Sequence, residues 1–79
     1  MPEPQFSKQA AKALNGMDKP MRGRILLGIS KLPAGDVKKL KGYTATFRLR
    51  IGDWRILFEM TADEIQIDSV LPRGEAYKK

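Results

Sequence analysis

Arg48, Arg50 and Arg55 fall within the stretch "FRLRIGDWRILFEM", residues 47–60, whose other members are mostly apolar. A β-strand does not need arginine, so this spacing implies either a solvated face or a surface built for an anion. The guanidinium group is planar, keeps its proton, and meets phosphate oxygens through two parallel N–H groups. Arg73 and Tyr77 stand four residues apart around a glycine in "VLPRGEAYKK". They could both fold back over a sheet edge, or belong to a frayed basic tail. The chain contains no histidine and no cysteine. The commonest general base, the commonest metal ligand and thiolate chemistry are therefore all missing. What remains is the stabilisation of negative charge.

The geometry of that charge follows from the hairpin. Gly52-Asp53 suits a two-residue type II′ turn, which takes glycine first. Phe47, Leu49 and Ile51 alternate with Arg48 and Arg50 before the turn, and Trp54, Ile56 and Phe58 alternate with Arg55, Leu57 and Glu59 after it. The turn then pairs Ile51 with Trp54, Arg50 with Arg55, Leu49 with Ile56 and Phe47 with Phe58. Opposed residues share a face, so Arg50, Arg55 and Arg48 gather on one side and the apolar pairs on the other. Two facing arginines repel, at a cost of a few tenths to about 1 kcal/mol. Phosphate reverses the sign of that effect. The plainer alternative is a solvated face whose arginines bridge to Glu59 or Asp68.

Those strands need elements to support them. The start "MPEPQF" is too proline-rich for more than a short edge strand. Ser7 reads as an N-cap for a helix to about Asn15 with Ala10, Leu14 and Met17 on one face, ended by Gly16. A second helix is expected from Asp18, with Pro20 in its first turn and Met21, Ile25, Ile29 and Leu32 on its apolar face. Gly28 leaves room for close packing, and Pro33 stops the helix. "PAGD" and "TADE" read as turns, and "KKLKG", with Lys38, Lys39 and Lys41, as a solvated loop. Ile65 and Ile67 open a third strand running to Val70. Trp54 and Tyr43 are read as core or rim packing. The expected fold class is α+β, with two N-terminal helices packed on one face of a small, mainly antiparallel sheet, in a single domain over 1–79.

The 79 residues carry a formal charge of +6. The excess is local: between Lys38 and Arg55 six basic residues face one acid, Asp53. A cluster of this sign favours an acidic partner, nucleic acid above all, with Lys38, Lys39, Lys41 and Arg48 as RNA-binding candidates. No segment resembles a signal peptide or approaches the roughly 20 apolar residues that span a bilayer, so a cytoplasmic location and no membrane partner are expected.

In the order "LKG", "RLRIGDWRILF" and "PRGEAYK", the chain resembles toxins of the RelE/ParE superfamily from about Phe6 to Lys78. That resemblance implies two helices on a small antiparallel sheet, a cognate antitoxin as partner, and no metal or other cofactor. The RelE-like branch is a ribosome-dependent, metal-independent endoribonuclease that cleaves messenger RNA. The likeness assigns transition-state roles to Arg55 and Arg73, matches Tyr77 to a C-terminal tyrosine, and sets Arg48 and Arg50 where the preceding strand carries basic residues. The catalytic candidates are thus Arg50, Arg55, Arg73 and Tyr77. Tyr77 would act as a base if Arg55 and Arg73 lower its pKa, or would stack on a nucleobase. Pro72 stands where some relatives carry histidine. The ParE-like branch, which inhibits gyrase without cleaving RNA, and an inactive antitoxin-binding relative are the alternatives.

Overall fold

A computed structural model of the chain describes residues 3–40 and 47–72. The order of elements is β1 (Pro4–Phe6), α1 (Lys8–Gly16), α2 (Lys19–Ser30), β2 (Val37–Lys39), β3 (Phe47–Ile51), β4 (Trp54–Met60) and β5 (Ile65–Pro72). The strands form one sheet in the order β1-β5-β4-β3-β2. β1 runs parallel to β5, and the other neighbours are antiparallel.

Both helices begin where their caps require. Ser7 Oγ accepts the Ala10 N–H at 3.0 Å, and Asp18 Oδ2 accepts the Met21 N–H at 3.3 Å. Each satisfies one of the orphan donors in the first turn. Ser7 also ties α1 to the sheet, donating its hydroxyl to Asp68 O at 2.6 Å and its N–H to Ile67 O at 3.0 Å. Gln9 continues that seam past the end of β1. Its side-chain amide donates to Val70 O at 3.2 Å and accepts the Val70 N–H at 3.0 Å, standing in for a strand that is no longer there. Arg22 of α2 caps the C-terminal end of α1, donating to Leu14 O at 2.9 Å and Met17 O at 3.1 Å. A cation is favoured at that end of a helix.

The core lies between the helices and one sheet face. Ala10 and Leu14 of α1 and Ile25 and Ile29 of α2 pack with Leu49, Ile56, Phe58, Ile67 and Val70. Trp54 packs at the rim of this cluster, as expected. Gly28 marks the closest approach of α2 to the sheet, because a Cβ at this position would collide with the Ile51 side chain. Among the described residues, no helix is long and apolar enough to cross a membrane.

The turn at residues 33–36 is present, but the loop expected to follow it needs a correction at its start. Val37–Lys39 is an edge strand, paired Val37 with Leu49, Lys38 with Arg48 and Lys39 with Phe47. Three residues are too few to show alternation, and the pairing partner lies ten residues on, so no local signal marks it. The third strand runs two residues beyond Val70, and its register shifts where Leu57 gives way to Phe58. Leu57 pairs with Ser69 while Phe58 pairs with Ile67, leaving Asp68 as the extra residue of a bulge. The apolar positions had carried that signal, since they pass from odd (Ile65, Ile67) to even (Val70).

Candidate anion-binding face

The hairpin has the expected register in every pair: Phe47–Phe58, Arg48–Leu57, Leu49–Ile56, Arg50–Arg55 and Ile51–Trp54. Gly52 has φ +56°, and no non-glycine residue among those described has positive φ. That combination suits a turn with glycine first and an ordinary second residue. Alternation along the strands then places Arg48, Arg50 and Arg55 on the face turned away from the helices. Lys38, opposite Arg48, joins them. Lys39 pairs with Phe47 and so falls on the other side of its strand.

These cations are not equally free. Arg50 is exposed, Arg55 is half-buried, and Arg48 is only 7% exposed. Arg48 shares this side of the sheet with Leu57, which is also buried. Arg55 folds back on the turn, donating through Nη1 to Gly52 O and Trp54 O at 3.3 Å each. The Nε atoms of Arg48 and Arg55 are both shielded from solvent and have no hydrogen-bond partner among the described residues. A buried N–H without an acceptor costs about 1–3 kcal/mol, more when the group is charged. Both atoms are closed to solvent, so an arriving phosphate meets the exposed Arg50 and the half-buried Arg55 first.

Two further charged residues stand near these arginines, Asp36 at the edge of the face and Arg24 at the hairpin tip. Asp36 brings a carboxylate oxygen to 3.6 Å from Arg48 Nη2, where bridges to Glu59 or Asp68 had been the alternative considered. Its main-chain carbonyl accepts the Arg50 N–H at 3.0 Å. Asp36 closes the turn expected there, and standing two residues before Lys38 it falls on the same face by period two. Arg24 of α2 reaches the hairpin tip, its Nη2 lying 3.9 Å from where a Gly52 Cβ would be. Helical periodicity shows only that Arg24 lies off the apolar face; contact with the turn depends on tertiary packing.

Lys41, Tyr43, Arg73 and Tyr77 lie outside the described residues. The described chain ends at Pro72, paired with Trp54, with Leu71 paired to Arg55. The last residues of β5 therefore lie beside Arg55.

No family model matches this chain. It is 34% identical over 80 residues to Toxin RelE3 of Methanocaldococcus jannaschii, with 91% of each chain covered. It resembles a chain of the RelB-RelE antitoxin–toxin complex from Methanococcus jannaschii, with a TM-score of 0.73 and 32% identity over 92% of this chain and 94% of that one. The archaeal RelE-RelB complex from Pyrococcus horikoshii contains a second similar chain, with a TM-score of 0.75 and 28% identity over 95% and 98%. Two helices on one face of a five-stranded, mostly antiparallel sheet, with arginines on the other face, define a small α+β toxin architecture. The chain belongs to the RelE family of toxins.

Proposed function

We propose that this protein is the toxin of a type II toxin–antitoxin pair and that it cleaves messenger RNA on the ribosome without a metal ion. The observation that carries this reading is the facing pair Arg50–Arg55, one exposed and one half-buried, with Arg48 beside it on the same sheet face. In RNA, the 2′-hydroxyl can attack the adjacent phosphate, giving a cyclic phosphate and a free 5′-hydroxyl. The nucleophile then belongs to the substrate. The protein's work is to hold the attack geometry and neutralise charge on the phosphorane. Arg50 and Arg55 take that charge, joined by Arg73, and Tyr77 serves as base or stacks on a splayed nucleobase. Lys38 and Arg48, with Lys41, guide the backbone, while Lys39 on the other side of its strand adds long-range attraction only. With no histidine in the chain, proton transfer is weak. The enzyme therefore depends on the ribosome to present the strand.

A cognate antitoxin is the protein partner, and the cytoplasm is the place of action. An acidic, amphipathic antitoxin complements a chain of net charge +6. The decisive experiment induces the protein in cells and maps the 5′ ends of transcripts. New ends within coding regions are expected. Growth arrest with intact transcripts would defeat the nuclease assignment, and a supercoiling assay with purified gyrase would then test the non-enzymatic branch.

A further inference from the structure

We propose that Asp36 is an internal counter-ion of the arginine face, holding Arg48 in the free protein and yielding it to a phosphate when a nucleic acid strand binds. The proposal rests on the RNA-binding part of the reading above, and it does not require cleavage.

Arg48 is 7% exposed, and its Nε has no acceptor among the described residues. A guanidinium so placed needs an anion nearby, and Asp36 supplies one loosely. The Nη2–Oδ1 separation of 3.6 Å is too long for a strong charged hydrogen bond, and the Asp36 side chain is 58% exposed. Water can therefore reach the carboxylate and draw it away from the guanidinium, which opens a place for a phosphate oxygen. The backbone is better anchored than the side chain, because the Asp36 carbonyl holds the Arg50 N–H at 3.0 Å. The carboxylate can then swing away while the sheet edge keeps its place. In the paired strands Lys38 lies opposite Arg48, and Arg50 stands two residues along the same strand opposite Arg55, so an arriving phosphate meets further cations beside the one Asp36 neutralises.

The test is a thermodynamic cycle read by fluorescence anisotropy with a labelled 2′-O-methyl uridine decamer, which lacks a free 2′-hydroxyl and cannot be cleaved. Wild type, Asp36→Asn, Arg48→Gln and the double variant are compared, each checked for folding by circular dichroism. Asp36→Asn should tighten binding about threefold to tenfold and steepen the salt dependence by about 0.7 in log–log slope, the increment for one more contact to a single strand. In the Arg48→Gln background the same substitution should gain less than about twofold, because its specific partner has gone. Arg48→Met, neutral and apolar enough for this buried position, replaces Arg48→Gln if the glutamine variant does not fold. An equal gain in both backgrounds, or no gain at all, overturns the counter-ion role while leaving the RNA reading intact. Absence of binding by wild type and Asp36→Asn alike overturns both. Tighter binding by Asp36→Asn with no transcript cleavage in cells supports the counter-ion and removes only the nuclease assignment.

Discussion

Arg50 and Arg55 are held opposite one another by a hairpin that would be more stable without one of them. Like charges directly across a strand pair repel, so Arg50→Thr should hold stability level or raise it by about 0.2–1 kcal/mol in urea unfolding. The same variant should bind RNA more weakly. A loss of stability instead would mean that the arginine is there for packing. Arg55→Ala and Arg73→Ala test the chemistry more directly. Each should abolish growth arrest on induction while the far-UV circular dichroism spectrum is unchanged. Full toxicity in both would show that the charge is neutralised by other groups. The arginine pair could be read from the chain because the glycine-first turn and strict alternation specify neighbours locally. The counter-ion Asp36 could not be assigned, because its partner Arg48 is twelve residues away, across a strand pair.

The helices carry different kinds of local information. Ser7 both caps α1 and bonds Asp68 O on β5, so Ser7→Ala should cost about 1–2 kcal/mol by chemical denaturation. A cost of only a few tenths would leave the cap without weight. The two interior glycines of α2 predict opposite behaviour. Nothing lies within 4 Å of a Cβ placed at Gly23. Gly23→Ala should therefore stabilise the fold by about 0.5–1 kcal/mol through helix propensity. Gly28→Ala gains the same propensity but must push Ile51 aside, so it should finish below Gly23→Ala in thermal unfolding. Equal melting temperatures would mean that Ile51 moves without cost. The short elements behaved differently from the long ones. β1 and β2 have three residues each, and their place in the sheet depends on β5 and β3 respectively.

A 79-residue chain of this kind has little stability to lose. By the usual 0.05–0.15 kcal/mol per residue its total is about 4–12 kcal/mol. Phe58 is fully buried and stacks on Phe47 with ring centroids 5.5 Å apart. Phe58→Ala should cost about 3–5 kcal/mol, enough to remove the cooperative thermal transition at the lower end of that range. A partner that binds only the folded chain raises its apparent stability by mass action. An antitoxin should therefore restore the transition to Phe58→Ala when the two are co-expressed, and failure to do so would argue against a partner that recognises this fold.

The amino-acid order alone was enough for both helix caps, the hairpin register and the convergence of arginines on one sheet face. Each depends on contacts between residues close in sequence, where residue type and period decide the geometry. The tertiary structure decided which of those arginines is buried, which acid faces it, where β5 bulges and which short segments close the sheet edges. Those outcomes arise from pairings between distant segments, such as Asp36 with Arg48 or Gln9 with Val70, and local pattern carries no record of how far apart two partners will be brought together.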